Sequence, residues 1–508
     1  MSPIWTREAD RFFWRNSGRY FEVRSCRCEA CIKSRKSNDM NPLTDLVRKS
    51  KRAAEIEKSL ENAGSTVHLQ QMVGGAYSLY AAATVERVGG IHIFMAADRD
   101  TAAYLLNDFY ELLDEERVVF FSSGYKRSAA YGTEDAQGIV RRTGALNAIS
   151  TYKGGYLVVC TYPEAVAEAV AERRRMEEQS RSISVGDTLK QSELVEWLQT
   201  MRFERVDFVY EPGQYSVRGG IVDVFSYVES RPYRIDFFGD EVDSLRRFDI
   251  SSQLSAERPD RVEIVPNLLH DEGDVARVSL ARFAEGAVWW IEDGDYAMRK
   301  VADVRHKLLE QAQSEDEARQ LAERVTSRQV LLKDLASSTI LTLKDNLKER
   351  KATHTIGFNT TPQPAFNRNF EMLADDIRWN NERGYRTIIL SKNKAQIERL
   401  DNIFHQVGRR HVEFTAAERL LHEGFVDNDL KLCIYTDHQI FDRYQRYRIR
   451  GEIKRDEQMT VAELNALKVG DYVVHIDHGV GRFGGLVKLN DNGRIKEAIK
   501  LIYKDNDI

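Results

Sequence analysis

The sequence is poor in cysteine, has no long apolar run and has no large excess of charge of either sign. Five cysteines in 508 residues do not make a disulfide framework, which predicts a reducing compartment, the cytoplasm. No apolar run approaches the roughly 18 residues that a membrane span needs, so a membrane protein is excluded. Lysine plus arginine (74) against aspartate plus glutamate (79) gives a net charge of −5, which excludes a polycationic coat for nucleic acid. The length predicts roughly three or four domains.

The first residues differ in charge from the rest of the chain. Residues Met1–Ser37 hold nine basic and four acidic side chains, a net charge of +5. Cys26, Cys28 and Cys31 could be three thiolate ligands, but tetrahedral zinc needs a fourth ligand and no histidine lies in this segment. We favour a disordered basic extension over residues 1–39, or sequence upstream of the true start, because Met40-Asn41-Pro42 opens a cleaner helical pattern. The prediction for metal is therefore none.

Residues 40–165 have the pattern of an α/β unit whose glycine-rich loop lacks one essential residue. His68–Val73 predicts a strand, Gly74-Gly75 a turn and Ser78–Val85 a helix, which is the context of a phosphate-binding loop. Such a loop needs a lysine to reach the β- and γ-phosphates, and no Gly-Lys dipeptide occurs in the chain. Gly74, Gly75 and Ser78 are therefore interpreted as a degenerate nucleotide loop. We expect no catalytic residue and no ATP or Mg²⁺ cofactor in this chain.

Residues 166–266 change to short strands at hairpin spacing. Strands are predicted at 207–210, 214–218, 221–225 and 233–238, separated by Pro212-Gly213 and Gly219-Gly220. This pattern indicates a small antiparallel domain inserted in the α/β unit. Residues 267–350 predict a helical domain, and residues 351–465 predict a second α/β domain that ends in a basic connector.

The basic connector invites two interpretations. It carries Arg443, Arg446, Arg448 and Arg450, with aromatic residues interleaved. Phosphate contact with base stacking would use these residue types, and so would a solvated link between domains. The sequence leaves DNA contact by this segment open.

Two stretches of the insertion carry a resemblance to known proteins. Glu211–Phe225, which reads EPGQYSVRGGIVDVF, and Pro232–Arg246, which reads PYRIDFFGDEVDSLR, resemble the second domain shared by the excision-repair protein UvrB and the bacterial transcription-repair coupling factors. The UvrB protein keeps an intact phosphate loop, whereas the N-terminal copy in the coupling factors is degenerate. The degenerate loop therefore favours the coupling factors. The resemblance implies contacts with the damage-sensing subunit UvrA through Arg218, Arg234 and Phe238, although from the residues alone Phe238 fits a core position and the arginines a solvated face.

A second signature lies in residues 466–508. Lys468–Leu486 resembles the RNA-polymerase-interacting module that the coupling factors share with CarD-type regulators. The pattern predicts three strands in a small bent, Tudor-like sheet. The resemblance assigns contact with the polymerase β subunit to this sheet: Val473, Val474, His475, Arg482 and Phe483. His475-x-Asp477-His478 could suggest a metal, but turn-shaping hydrogen bonds are the preferred interpretation.

The resemblance covers about Met40 to Ile508 and implies an α/β multidomain fold with a degenerate RecA/helicase-like unit. In this family two motor domains that use ATP and Mg²⁺ to translocate on double-stranded DNA follow the module, and none of their residues occur here. We therefore expect a monomeric fragment that holds the recruitment half of a coupling factor, ends inside the module, and is not itself an enzyme. Two alternatives stay open: a UvrB-type nucleotide-dependent helicase and a CarD-like regulator of polymerase alone.

Overall fold

The structure is a computed structural model that describes residues 41–503 apart from short gaps. The gaps are 126–134, 251, 269–275, 345–346, 407–411, 444, 446, 448, 450–467, 476–478 and 492–493. The chain divides into two compact units, Met1–Gly451 and Glu452–Ile508. The residues Cys26, Cys28 and Cys31, and likewise Arg446, Arg448 and Arg450, for which the sequence analysis gave predictions, lie outside the described residues.

A seven-stranded, all-parallel sheet forms the centre of the first unit. Its strands, in spatial order, are β17 (His354–Gly357), β1 (Thr66–Gln70), β16 (Ile340–Thr342), β15 (Val288–Ile291), β2 (Gly90–Met95), β4 (Tyr156–Thr161) and β3 (Val118–Phe120). The β2, β4 and β15 sequences are nearly continuous apolar runs, which is typical of parallel strands that are covered on both faces. The α/β class that the sequence predicts is confirmed.

The first helix of this layer begins where the sequence supplies a cap. The side chain of Asn41 accepts a hydrogen bond from the Leu43 N–H at 3.0 Å, and Pro42 takes the first helical position, so the predicted helix start is confirmed. The helices are α1 (Pro42–Arg48), α2 (Lys51–Leu60), α3 (Ala76–Val88), α4 (Arg99–Leu112), α5 (Ala136–Ser150), α6 (Pro163–Ala167), α7 (Arg173–Gln179), α9 (Leu280–Phe283), α10 (Gly294–Leu309), α11 (Glu315–Glu323) and α12 (Arg328–Asp334), with a 3₁₀ turn at Glu115–Arg117.

The sequence predicted a helical domain at residues 267–350, but this segment also contains strands. β15 and β16 come from this segment and lie between β1 and β2 in the parallel sheet. Trp289 and Trp290 of β15 are fully buried, because a strand in the middle of such a sheet is covered on both faces. The segment therefore supplies two central strands of the first sheet.

The insertion is a six-stranded sheet packed on one helix. Its strands, in spatial order, are β12 (Ser255–Glu257), β11 (Glu241–Phe248), β10 (Tyr233–Phe238), β9 (Ile221–Val224), β8 (Gln214–Arg218) and β7 (Glu204–Arg205). Leu194 and Leu198 of α8 (Gln191–Thr200) join the core beneath it. Two short pairs connect it to the first layer: β6 (Arg181–Ser184) with β13 (Arg261–Ile264), and β5 (Val170–Ala171) with β14 (Arg277–Val278).

One predicted strand of the insertion is wrong. Residues 207–210 form no strand, and the edge strand is Glu204–Arg205. The Gln214 side chain accepts hydrogen bonds from the backbone N–H groups of Tyr210 and Glu211 at 3.0 Å each, which closes this stretch as a loop.

A second α/β domain follows in the same unit. Its five-stranded mixed sheet has the order β18 (Thr360–Pro362), β21 (Phe425–Asp427), β22 (Leu432–Thr436), β19 (Arg386–Leu390) and β20 (Thr415–Ala417), with helices α13 (Phe370–Glu382), α14 (Lys394–Gln406) and α15 (Asp437–Ile440). Leu421 and Phe425 of this domain are buried in the same apolar core as the first sheet.

The second unit contains a three-stranded antiparallel sheet. Its strands are β23 (Tyr472–His475), β24 (Gly479–Asp491) and β25 (Arg494–Ile502), with an irregularity between Phe483 and Leu486. The three strands that the sequence predicts are confirmed.

Candidate functional site

Arg218 and Arg234 converge on one buried carboxylate in the insertion sheet. Strand alternation turns Val222 and Val224 toward the core and Asp223 toward the opposite face of the sheet. Arg234 on the next strand donates from Nε and Nη2 to the two Asp223 oxygens at 2.7 and 2.9 Å. Arg218 donates to the same carboxylate from the other neighbouring strand. Asp223 is 1% exposed. A carboxylate buried to this extent needs opposite charge, and the two arginines supply it.

Aromatic rings hold both guanidinium groups in place. The Arg234 guanidinium lies 4.4 Å from the centre of the buried Phe248 ring, and the Arg218 guanidinium lies 5.0 Å from the Phe208 ring. Phe208 is half exposed. The two arginines therefore present fixed, partly exposed faces rather than mobile solvated chains.

Phe238 lies on the surface and not in the core. It ends β10 one residue before Gly239, whose positive φ of 63° makes the turn into β11. Its side chain is 81% exposed, whereas its neighbour Phe237 packs against the insertion core. A large exposed aromatic in the same sheet as two fixed arginines has the composition of a protein-binding surface.

Among the predicted polymerase-binding residues, Arg482 is exposed and Phe483 is buried. Backbone pairing places Val473 opposite Gly481 and Val474 opposite Val480, and Arg482 is opposite Tyr472. Arg482 and Tyr472 are exposed, and the Arg482 Nη2 donates to the Tyr472 hydroxyl at 2.8 Å. Of His475 the structure gives only its backbone pairing with Gly479. Phe483 is 5% exposed, so its predicted role as a surface contact is corrected to a buried one.

Sequence reasoning missed exposed apolar side chains in this second unit. Val469, Tyr472 and Val480 are 75%, 69% and 61% exposed. Tyr472 and Val480 lie within the motif, but their exposure depends on which face of a short strand is covered.

Arg443 of the basic connector has an intramolecular partner. Its Nη2 lies 3.1 Å from the Asp437 carboxylate, and its guanidinium lies 5.1 Å from the Phe441 ring centre. Asp437 is buried. These contacts account for Arg443 within the fold, and DNA contact by the connector stays a prediction.

The glycine loop lies at the carboxyl end of β1 and leads into α3, as the sequence predicts. Ser78 is buried, and its hydroxyl donates to Asp108 Oδ2 at 2.7 Å instead of facing an open site. Burial raises the pKa of the Asp108 carboxyl to about 7, although hydrogen bonds from Ser78 and from the His422 backbone oppose the shift. The Gly75 N–H donates to the carbonyl of Glu423, in the second α/β domain, at 3.0 Å. The loop is therefore in contact with protein at the position where a phosphate would lie.

The described residues contain no group of three or more histidine, cysteine or acidic side chains that could hold a metal ion. Cys160 and Cys433 are buried and unpaired with each other. In the part of the chain that the structure describes, no helix is both long and apolar enough to cross a membrane.

Comparison with known proteins gives two domain matches and a set of long relatives. The family model described as the UvrB interaction domain matches residues 182–269, and the one described as the CarD-like/TRCF RID domain matches residues 467–508. The transcription-repair-coupling factor of Bacillus subtilis (strain 168) is 22% identical over 530 residues, covering 86% of this chain and 43% of that protein. The chain is a relative of the transcription-repair-coupling factors. This confirms the family resemblance that the two motifs predicted.

Further coupling factors match over a similar extent. The protein of Staphylococcus aureus (strain USA300) is 22% identical and that of Staphylococcus haemolyticus (strain JCSC1435) is 21% identical, each covering 79% of this chain and 40% of the relative. The chain thus spans about two fifths of the length of these coupling factors. The first domain match includes Arg218, Arg234 and Phe238, and the second includes all five residues assigned to polymerase contact.

Proposed function

We propose that this chain recruits partners in transcription-coupled repair, binding the UvrA subunit through the insertion and the RNA polymerase β subunit through the C-terminal module. The observation that carries the proposal is the exposure of Phe238 on the strand that also holds Arg234, inside the segment that matches the UvrB interaction domain. Arginine and aromatic side chains contribute most to protein interface energetics. The proposed place of action is the cytoplasm, where polymerase meets DNA.

The C-terminal module supports the second half of the proposal. Its match to the CarD-like/TRCF RID domain, with Tyr472, Val480 and Arg482 exposed, offers an apolar and cationic surface on a three-stranded sheet. Exposed strands and apolar side chains are features that partner proteins bind. In this proposal the chain is a non-catalytic adaptor without a bound nucleotide, and translocation on double-stranded DNA belongs to the motor of the coupling factors.

The test is a pair of titrations with purified partners. With UvrA, Phe238→Ala is expected to weaken binding about 5- to 150-fold, the range of an interface hot spot of about 1–3 kcal/mol. Trp379→Ala is the matched control, because Trp379 is an exposed aromatic (56%) in the second α/β domain. Equal UvrA affinity for Phe238→Ala and the unchanged chain would contradict the proposal.

The polymerase titration uses the β subunit and tests Arg482, which is exposed and hydrogen-bonded to Tyr472 in the second unit. Arg482→Ala is expected to weaken binding, whereas Lys468→Ala, which removes another exposed cation of the same unit, is expected to leave it unchanged. Loss of affinity in both variants to the same degree would indicate a non-specific charge effect and would count against this assignment.

A further inference from the structure

The glycine loop keeps the shape of a binding loop although its lysine is missing. It connects β1 to α3, and Gly74 has a positive φ of 55°. Its surroundings explain why small residues are needed here. A Cβ at Gly74 would lie 2.8 Å from the carbonyl oxygen of Gly424, and a Cβ at Gly75 would collide with the carbonyl oxygen of Glu423. Both glycines therefore allow the backbone of residues 421–424 to approach.

Residues Leu421–Gly424, here called the plug, fill the space above the loop with matched hydrogen bonds. The carbonyl of Glu423 accepts from the Gly75 N–H at 3.0 Å, and the N–H of His422 donates to Asp108 Oδ1 at 2.6 Å. The His422 ring stacks on Tyr104 with their centres 3.7 Å apart, and Leu421 is fully buried. The plug thus binds the first sheet domain through a backbone pair, a buried carboxyl group, a ring stack and an apolar side chain.

Side chains of the second α/β domain form hydrogen bonds with the backbone of the plug. The Gly424 N–H donates to Gln439 Oε1 at 2.7 Å, and His438 Nε2 is 2.8 Å from the His422 carbonyl oxygen. A Cβ at Gly424 would collide with the Gln363 side chain and lie 2.7 Å from the Ile434 carbonyl oxygen. Because both sides are fixed, the plug is a preorganised element and not a loose loop.

The plug also brings an acidic side chain to the loop. The Cβ of a residue at position 74 would lie 3.6 Å from Glu423 Oε2, which locates this carboxylate beside the glycines. An anion beside the amino end of α3 occupies the kind of environment that a phosphate would.

We propose that the glycine loop is a binding site for the plug, and that this internal ligand joins the two sheet domains in place of a nucleotide. In this arrangement the glycines of the loop allow close contact with the backbone of the plug, and the Ser78 hydroxyl donates a hydrogen bond to Asp108. The proposal concerns only contacts within the first unit and does not depend on UvrA or polymerase binding.

The test is amide hydrogen exchange in the whole chain. Gly75→Ala should speed exchange at least tenfold in peptides covering 74–79 and 421–425, because its methyl group displaces the Glu423 carbonyl. Gly357→Ala is the matched control, since Gly357 has an ordinary φ and no atom within 4 Å of its added Cβ. Unchanged exchange at 421–425 in Gly75→Ala would overturn the proposal.

Two further arms keep the test decisive if Gly75→Ala does not fold. His422→Ala removes the stack on Tyr104 from a half-buried position and should also speed exchange at 74–79; unchanged exchange there would overturn the proposal. Addition of millimolar Mg-ATP to the unchanged chain should leave exchange at 74–79 unaltered. Slower exchange with Mg-ATP would mean that the loop binds the nucleotide, and would also overturn it.

Discussion

Arg234 donates hydrogen bonds to both oxygens of the Asp223 carboxylate on the neighbouring strand, with Nε 2.7 Å from Oδ1 and Nη2 2.9 Å from Oδ2. Asp223 is 1% exposed, and Arg218 bonds the same group from the opposite side. This corrects the expectation that the two arginines form a merely solvated face. Any effect of an arginine variant on partner binding must therefore be separated from its effect on folding.

The first prediction concerns the buried anion. Asp223→Ala should lower the free energy of unfolding by about 3 kcal/mol, because two arginines lose a desolvated counter-charge. Urea unfolding followed by circular dichroism measures this change. Arg218→Ala should cost no more than about 1 kcal/mol, because its side chain is 36% exposed and solvent screens the pair.

Asp243→Ala is the control for the Asp223 variant. Asp243 lies on β11 in the same sheet and is exposed. Its loss should change stability by less than about 0.5 kcal/mol. An Asp223→Ala chain as stable as Asp243→Ala would show that the carboxylate does not hold the arginines.

The second prediction compares two adjacent phenylalanines. Phe238→Ala should leave stability within about 0.5 kcal/mol, because the ring is 81% exposed. Phe237→Ala should cost about 2 kcal/mol, because that ring packs on the insertion core. Thermal unfolding of both variants measures the contrast, and a reversed order would show that the exposed ring of the hairpin is Phe237.

The third prediction is a pH dependence that originates at Asp108. Burial raises the pKa of this carboxyl to about 7 in the folded chain, from about 3.9 when unfolded. Its contribution to stability is therefore complete below about pH 4 and is lost as the pH rises through 7, at about 1.4 kcal/mol per pH unit between these values. Asp108→Asn should lack this loss.

The measurement for Asp108 is the difference in unfolding free energy between the two chains from pH 5 to pH 8. Burial lowers the pKa of His422 and of His438, which gives a slope of opposite sign. Those histidines are present in both chains, so the difference isolates Asp108. A difference that stays constant with pH would show that Asp108 keeps an ordinary pKa.

The fourth prediction is that the purified chain releases no phosphate from ATP above the buffer rate, with or without double-stranded DNA. The physical reason is that the loop has no lysine and the plug lies against Gly74 and Gly75. A colorimetric phosphate assay measures the rate. Release that DNA stimulates and that persists through further purification steps would contradict the prediction.

Local sequence patterns determined much of the secondary structure. Predicted strands at 214–218 and 233–238 match β8 and β10 residue for residue. Apolar alternation and glycine turns act over a few residues, and the backbone of each segment follows them directly. The same locality explains the error at 207–210, where a single side chain, Gln214, closes a loop that propensity alone assigns to a strand.

The candidate contact residues came from family motifs, and the fold decided which of them are exposed. The motifs name both Phe238 and Phe483, but one is 81% exposed and the other 5%. Exposure depends on which face of each strand another layer covers. A single strand's sequence does not contain that information when both of its faces carry apolar residues.

The sequence by itself determined that the glycine loop lacks its lysine. Only the tertiary structure decided what the loop contacts, because the plug follows more than 340 residues later, at a separation comparable to the 347 residues between Tyr80 and its hydrogen-bond partner Asp427. Contacts at such separation arise when two sheets bury a shared apolar core. Leu421 and Phe425 belong to the core of the first sheet, and their burial there fixes the position of the plug relative to the glycine loop. Neither Gly75 nor Glu423 carries a local signal for the other, so their pairing is a property of the packed domains.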